Sequence, residues 1–189
     1  SVERDRVWLE GGDSITADQV VIATDASSAA RLLPGLPDLD VTWRATTALY
    51  FSAQTSPISQ GLIALNGGGA GLVNHVCSPS DIAPSYAPAG QSLICVSLLG
   101  EPGQANLEDR VRSELEGWFG DEVNHWRWLR TDRICQALPE QLPSRSQPAL
   151  VREHSGIHIC GDHLASRSIE GAITSGIRTA EAVCATQAG

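Results

Sequence analysis

Hydrophobic positions at the start of the chain come in short runs separated by polar clusters. Residues 7–9 and 20–23 are rich in β-branched and aromatic side chains, and Gly11 and Gly12 lie between the two runs. Glycine adopts the positive φ angles of tight turns at little cost. We therefore predict strands around a hairpin over residues 6 to 23.

A short helix is expected directly after this hairpin. The Asp25 side chain is placed to accept hydrogen bonds from the first helical amides. The helix must end at Leu33, because Pro34 disfavours helical backbone in the residue before it. The Gly-Leu-Pro-Asp sequence at residues 35–38 then predicts a crossing between two domains.

The middle of the chain is almost uncharged, since Asp81 is the only formally charged residue between positions 45 and 100. Runs with the length and residue types of strands are separated there by clusters of glycine, proline, serine and asparagine. These runs cover residues 47–52, 62–65, 70–77 and 92–99. They predict a largely antiparallel sheet, with a hairpin bend at the glycine run of residues 67–71.

Helical periodicity returns after this region. Asn106 followed by Asp109 is a helix start signal, and apolar residues then recur at a spacing of 3.6, which predicts an amphipathic helix over residues 106–119. Trp126 and Trp128 stand two positions apart and predict a strand over residues 123–135. A long surface loop is expected beyond it, because three prolines interrupt any regular element. These are Pro139, Pro143 and Pro148.

The carboxy-terminal part of the chain combines a short strand with a helix. Residues 156–160 are a buried-strand candidate, followed by Gly161 and Asp162. Ser168 is placed to cap the helix, and Glu170 lies in its first turn, where the helix dipole favours an anion. The predicted apolar face of this helix consists of Ile169, Ala172, Ile173, Ile177, Ala180, Val183 and Cys184.

Composition and charge exclude several classes of protein. The 189 residues are 42% hydrophobic and carry a formal net charge of −9, without any run of Lys or Arg, which argues against a nucleic-acid partner. No apolar run approaches the roughly 18 residues of a membrane span, and the polar start of the chain lacks the basic and apolar regions of a signal peptide. We expect a cytoplasmic compartment, with peripheral membrane contact left open. The absence of methionine indicates a processed chain or a fragment.

The cysteines indicate a reduced protein. There are five of them, widely spaced, and most lie in apolar strings. An odd number without regular spacing does not form a disulfide framework, so we expect buried thiols. His158, Cys160 and His163 lie close in sequence, but no second dense group of ligands completes a tetrahedral metal site. We therefore predict no bound metal.

One constellation carries a chemical mechanism, namely the strand, Gly161-Asp162 and the helix that starts at Ser168. Unpaired amides at a helix start are electropositive, and small residues let a planar or anionic ligand approach the backbone. The Asp162 carboxylate can accept hydrogen bonds from sugar or ribityl hydroxyls. The alternative is a plain turn between a strand and a capped helix, with small residues chosen for packing.

The residues of this constellation resemble a known family. Residues 156–162 followed by residues 168–176 resemble the carboxy-terminal FAD signature of the flavin-containing amine oxidase superfamily, which includes amine oxidases, protoporphyrinogen oxidases and carotenoid desaturases. Residues 12–24 are similar to the strand with which these enzymes return to their FAD domain. The Ala-Leu-Pro step at residues 137–139 also fits the family's order.

The resemblance implies an α/β fold, α+β in parts. The chain would be the carboxy-terminal portion of a Rossmann-like FAD-binding domain, joined to a mostly antiparallel substrate domain with a covering helix. Residues 1–36 would form returning strands and a helix of the FAD domain, and residues 37–150 the substrate domain. Residues 151–189 would supply the carboxy-terminal FAD-binding strand and helix.

The same resemblance implies a noncovalent FAD site. Asp162 would bond the ribityl or pyrophosphate portion, and the N–H groups of residues 169–172 would face the pyrimidine edge of the flavin. Ala23 and Thr24 would approach the cofactor from the neighbouring strand. The implied cofactor-binding residues are thus Ala23, Thr24, Gly161, Asp162, Ser168, Ile169, Glu170, Gly171 and Ala172.

The sequence also departs from the family pattern. The G-x-G-x-x-G loop for the pyrophosphate is absent, because the required glycines are replaced by Leu72 and Asn74 in the only glycine run. The expected partner is therefore the missing amino-terminal half of the same protein. Ser168 stands where amine-oxidising relatives have an aromatic cage residue, which favours an apolar small-molecule substrate such as a tetrapyrrole or polyene.

The expected activity is that of an FAD-dependent oxidoreductase. It would transfer hydride from an apolar or amine-bearing organic substrate to flavin, with reoxidation by dioxygen or another acceptor. Catalytic residues stay unassigned: His75 is either an acid or base in a cavity or a structural histidine. The alternative function is a noncatalytic domain that binds a small molecule or protein and keeps the fold without flavin.

Overall fold

The computed structural model describes residues 1–36, 39, 41–58, 60–103, 105–140 and 152–187. These residues divide into two compact units, one formed by Ser1–Trp43 with Leu138–Gly189 and the other by Arg44–Ala137. The assignment of segments to cofactor and substrate stays a prediction.

The strands are β1 (Val2–Glu3), β2 (Arg6–Trp8), β3 (Ser14–Thr16), β4 (Val20–Ile22), β5 (Trp43–Ala53), β6 (Ile63–Leu65), β7 (Val73–Cys77), β8 (Ser92–Leu99), β9 (Arg127–Pro139), β10 (Arg152–His154) and β11 (Ile157–Ile159). The helices are α1 (Ala26–Leu32), α2 (Pro79–Ile82), α3 (Leu107–Phe119) and α4 (Ile169–Gln187).

The first unit begins with the antiparallel strands β1, β2 and β3. Gly11 and Gly12 have φ angles of 107° and 95°, as the predicted hairpin requires. The returning strand of that hairpin is β3, however, and not the apolar run at residues 20–23. The prediction paired the wrong segments, because β3 has only one apolar side chain, Ile15, and all three of its residues are exposed.

The apolar run that contains β4 belongs to a second sheet, in which β11 lies between β10 and β4. β11 pairs with β4 in parallel, with Ile159 opposite Ile22. Both residues are buried in a core that also holds Val20, Ile157 and Leu164. The buried strand predicted at residues 156–160 is thus confirmed.

Helix α1 begins as predicted at Asp25. The Asp25 carboxylate accepts hydrogen bonds from the Ser28 backbone N–H at 3.0 Å and from the Ser28 hydroxyl at 2.6 Å. These hydrogen bonds lower the pKa of Asp25. The helix ends before Leu33, whose N–H donates to the carbonyl of Ala29.

Helix α4 forms over the predicted sequence but buries a different face. Its isoleucines are exposed, Ile169 by 82%, Ile173 by 58% and Ile177 by 55%. The buried positions are Gly171, Ser175 and Thr179, which follow one another at intervals of four residues. The helix packs through small side chains because they let its backbone come close to its neighbours.

The second unit is built on a five-stranded sheet in the order β6-β7-β8-β5-β9. The pairs β6–β7, β7–β8 and β8–β5 are antiparallel, which confirms the predicted sheet. One face packs against the predicted helix α3, whose Val111 and Leu115 are fully buried. Asn106 adopts a left-handed conformation with φ 50° and makes no side-chain cap, so the predicted start signal does not act as one.

The glycine run lies in the bend between β6 and β7, as predicted. Gly71 has φ +92°, and a Cβ atom there would lie 2.3 Å from a carboxylate oxygen of Glu114. That carboxylate accepts hydrogen bonds from the backbone N–H groups of Leu72 at 2.6 Å and Val73 at 3.2 Å. Helix α3 therefore anchors this bend through Glu114.

The two tryptophans near β9 differ in environment. Trp126 precedes the strand, after a 3-10 turn at Asp121–His125, and packs in the core 6.0 Å from the rings of Phe51 and Phe119. Trp128 lies on the strand and is 45% exposed. The strand predicted from residue 123 thus begins later, at residue 127. Pro139 is the last residue of β9, whereas Pro143 and Pro148 lie outside the described residues.

Candidate functional site

The predicted cofactor-binding residues that follow β4 and β11 lie at the carboxyl ends of these two strands. The Cys160 N–H donates to the Ile22 carbonyl at 2.9 Å, so Ala23 and Gly161 leave the sheet side by side. Ala23 and Thr24 are exposed. Ligands of parallel α/β sheets bind beyond the carboxyl ends of the strands, and Ala23 and Gly161 lie at this position.

Gly161 is held in a backbone conformation that only glycine adopts easily. Its φ angle is +156°, and a Cβ atom there would lie 2.5 Å from the imidazole of His163. Its N–H donates to the Ser175 hydroxyl of α4 at 3.2 Å. Sequence reasoning counted Ser175 among the small residues of α4 but missed its hydrogen bond with Gly161, although its spacing of four residues from Gly171 was a signal for a shared face.

Asp162 and His163 follow in a 3-10 turn at Asp162–Leu164. The His163 Nδ1 lies 3.9 Å from the Asp162 Oδ1, and the imidazole is fully buried. Burial lowers the pKa of His163, although the nearby Asp162 raises it. Neither ring nitrogen has a hydrogen-bond partner among the described residues. A fully buried imidazole therefore lies next to an Asp162 side chain that keeps 30% of its area exposed.

The start of α4 leaves part of its backbone available to a ligand. The Ser168 hydroxyl accepts a hydrogen bond from the Gly171 N–H at 3.1 Å, and the Ser168 carbonyl accepts one from Ala172 at 3.0 Å. In the part of the chain that the structure describes, the N–H groups of Ile169 and Glu170 have no acceptor. Four amides, those of residues 169–172, were predicted to face the cofactor, and these two are free to donate hydrogen bonds to an anionic group.

Gly171 brings the turn before α4 into contact with the helix. A Cβ atom at this position would lie 1.7 Å from the carbonyl oxygen of Ser166. Ser166 and Ser168 also share a hydrogen bond at 3.0 Å between their hydroxyl groups. The sequence predicted that small residues here let a ligand approach the backbone. At Gly171 the missing side chain instead lets the preceding turn pack against the helix.

The second unit offers a separate surface, on the sheet face opposite α3. We call it the open face and define it by Ile63, Leu65, Tyr50, His75, Cys77, Cys95 and Leu99, which register and strand alternation place on one side. Ile63, Leu65 and Leu99 are exposed by 59%, 72% and 73%. Sequence reasoning did not single out Tyr50 or the two cysteines of this face as site residues.

His75 accepts a hydrogen bond from the neighbouring Asn74 side chain, because the amide nitrogen of Asn74 lies 3.0 Å from Nδ1 and can only donate. Its other ring nitrogen is left on the open face. Among the described residues, no three His, Cys, Asp or Glu side chains lie together as a metal site would require. The described part of the chain also contains no helix long and apolar enough to cross a membrane.

Solved structures identify the class of fold. An oxidoreductase from Methanosarcina mazei matches 94% of this chain with a TM-score of 0.63 at 16% identity, over 48% of its own length. A protein from Pyrococcus furiosus matches 95% with a TM-score of 0.69 at 13% identity, over 44% of its length. Reduced UDP-galactopyranose mutase matches 72% with a TM-score of 0.56 at 10% identity, over 33% of its length. The chain therefore shares the fold of the corresponding parts of these structures.

The family follows from the sequence itself. The model of the flavin-containing amine oxidoreductase family matches residues 1–184, so the chain belongs to that family. No curated protein matches the chain significantly. The chain spans at most about half of the length of the solved structures named above. By the description of that model, the family is one of flavin-containing amine oxidoreductases.

Proposed function

We propose that this chain is the carboxy-terminal part of an enzyme that oxidises an organic substrate with noncovalently bound FAD. The observation that carries the proposal is the arrangement of Asp162 and the first turn of α4. A part-exposed carboxylate and two amides without acceptors lie in the same unit as the carboxyl ends of two parallel strands. A phosphate- and hydroxyl-bearing cofactor with a planar ring needs these groups.

The residues of the site fit such a cofactor in complementary ways. The Asp162 carboxylate accepts hydrogen bonds from ribityl or ribose hydroxyls. The N–H groups of Ile169 and Glu170, at the positive end of the α4 dipole, stabilise negative charge on the ligand. The cofactor supplies the hydride-accepting chemistry, and dioxygen or another acceptor restores its oxidised form.

The open face is the proposed substrate surface. Its exposed side chains Ile63, Leu65 and Leu99 are apolar, and apolar surface of this kind favours an apolar ligand. Ser168 supplies no aromatic cage wall for an amine. We therefore propose an apolar small molecule, such as a tetrapyrrole or polyene, ahead of an amine-bearing one.

The partner that completes the site is proposed to be an amino-terminal segment with a dinucleotide-binding fingerprint. Two observations support this partner. The matched structures are about twice the length that this chain covers. In addition, β4 is an edge strand among the described residues, with β11 as its neighbour. The proposed compartment is the cytoplasm, with peripheral membrane contact left open.

The test is an NMR titration of the ¹⁵N-labelled chain with FAD. We expect weak binding by this chain, with shifts at the amides of Gly161, Asp162, Ile169 and Glu170. Asp162→Asn should weaken binding about tenfold, because one charge-assisted hydrogen bond is replaced by a neutral one. Asp13→Asn is the matched control, since it removes the same charge from the exposed β2–β3 turn.

Two results would contradict the proposal. If the Asp162→Asn and Asp13→Asn variants bind FAD with equal affinity, Asp162 does not contact the cofactor. The absence of flavin absorbance from the protein purified from its natural source, combined with no uptake of added FAD, would favour the noncatalytic binding domain instead.

A further inference from the structure

Cys77 and Cys95 face each other across two neighbouring strands. Cys77 of β7 is the register partner of Cys95 in the antiparallel strand β8. Both cysteines are free thiols and half-buried, so solvent reaches them from the open face. Tyr50 of β5 is the next residue in the same row, opposite Cys95.

The pairing geometry fits a disulfide. Directly opposite residues of antiparallel strands have Cα atoms about 4.5 Å or about 5.5 Å apart, depending on the type of pair. Disulfides bridge Cα atoms that are roughly 4.4 to 6.8 Å apart. Both types of antiparallel pair fall within this range, and alternation along the strands points the two side chains to the same face. A bond between the two sulfurs is therefore compatible with the pairing of β7 and β8.

We propose that Cys77 and Cys95 are a redox-active dithiol, which a low-molecular-weight disulfide oxidises to a cross-strand disulfide. In the first step the Cys77 thiolate attacks the small disulfide, forms a mixed disulfide and releases one small thiolate. In the second step the Cys95 thiolate attacks the Cys77 sulfur and releases the second small thiolate. The protein loses two protons and two electrons, and one small disulfide is reduced to two thiols.

The order of the two steps follows from the surroundings of the thiols. Burial raises the pKa of Cys77, but a hydrogen bond with the Cys95 thiol lowers it. Burial and the neighbouring Cys77 raise the pKa of Cys95 to about 11. Cys77 is the less deeply buried of the two thiols, and it makes the first attack. Oxidation should be slow at neutral pH and faster at pH 9, because the thiolate is the nucleophile.

The other cysteines have no such partner among the described residues. Cys160 is buried at the end of β11, and Cys184 is exposed on α4. Cys135 donates a hydrogen bond from its thiol to the Glu101 carboxylate at 3.1 Å, which raises its pKa. The exposed Cys135 and Cys184 can therefore form only adducts with small thiols or disulfides between molecules. The dithiol is independent of the proposed FAD site.

The experiment uses the full chain carrying Cys135→Ser and Cys184→Ser, which removes the two exposed thiols. The protein is incubated with oxidised glutathione at pH 8 and analysed by thiol titration in denaturant and by intact mass. We expect the loss of two thiols, a mass lower by about 2 Da, and a Cys77–Cys95 cross-link in the peptide map. The unfolding temperature should rise by about 5 °C, because the bridge constrains the unfolded chain.

Single variants supply the controls. In the same background, Cys95→Ser should stop the reaction at a glutathione adduct on Cys77, and Cys77→Ser should react more slowly. Circular dichroism identifies any variant that does not fold. Retention of all three remaining thiols by the background protein, or a glutathione adduct without a cross-link, would overturn the proposal.

Discussion

The Ser175 hydroxyl accepts a hydrogen bond at 3.2 Å from the backbone N–H of Gly161. This contact joins the buried face of α4 to the residue that follows the strand end of β11. It fixes the position of Gly161, directly before Asp162, and it satisfies a donor that would otherwise be unpaired in the packed interior.

Replacement of Ser175 should therefore destabilise the protein. For Ser175→Ala we expect a loss of about 1 kcal/mol in the free energy of unfolding, because the part-buried Gly161 N–H loses its acceptor. Urea denaturation measures this loss. Thr174→Ala, one position earlier on the same helix, is the control and should change stability by less than about 0.5 kcal/mol. Equal effects of both variants would mean that the hydrogen bond contributes nothing.

Two glycines of α4 should respond oppositely to the same substitution. Gly171→Ala should cost about 3 kcal/mol, because its Cβ would lie 1.7 Å from the Ser166 carbonyl oxygen. Gly176→Ala should stabilise the helix by about 0.5 to 1 kcal/mol, because no atom lies within 4 Å of its Cβ and alanine is the better helix former. Thermal unfolding of both variants checks this; a stabilising Gly171→Ala would rule out the close approach.

The bend between β6 and β7 allows a similar comparison. Gly71→Ala should cost about 2 kcal/mol, because its φ of +92° and the Glu114 carboxylate both oppose a side chain. Gly67→Ala lacks both obstacles and should stay within about 0.5 kcal/mol of the native protein. The double variant with Glu114→Ala should cost less than the sum of the two single changes. Additive losses would disprove a direct clash.

The buried imidazole predicts a pH dependence of stability. Burial holds the pKa of His163 below 6.5. The charges of Asp162 and Asp25 raise this pKa, and the charge of Arg167 lowers it, but burial has the largest effect. Below pH 6.5 the unfolded chain therefore binds a proton that the folded protein binds more weakly. Stability should fall as the pH decreases from 7 toward 5, by up to about 1.4 kcal/mol per pH unit.

His163→Leu tests this dependence. The variant lacks the titrating ring and both unpaired nitrogens, so its stability at pH 8 should be equal to or above that of the native protein. The difference should grow in its favour as the pH falls. His125→Leu makes the same substitution at an exposed position and is the control. Parallel profiles of native protein and His163→Leu would show that His163 does not titrate this way.

Local signals predicted most of the helices and strands. The Asp25 cap, the period of α3 and the Ser168 cap depend on neighbours within a few residues, so they are readable from the sequence. The glycine run likewise predicted its bend. Asn106 was an exception, because a capping residue type acts only if its backbone enters the helix in the right conformation.

The sequence by itself determined the family, most of the elements and the residues proposed for the cofactor. Tertiary structure alone decided that β4 pairs with β11, that α4 buries Ser175 instead of its isoleucines, and that Cys77 faces Cys95. It also decided that, of the four amides predicted to face the cofactor, only those of Ile169 and Glu170 have no acceptor among the described residues. The physical reason is that strand pairing and close packing depend on contacts between distant segments, which no local period encodes.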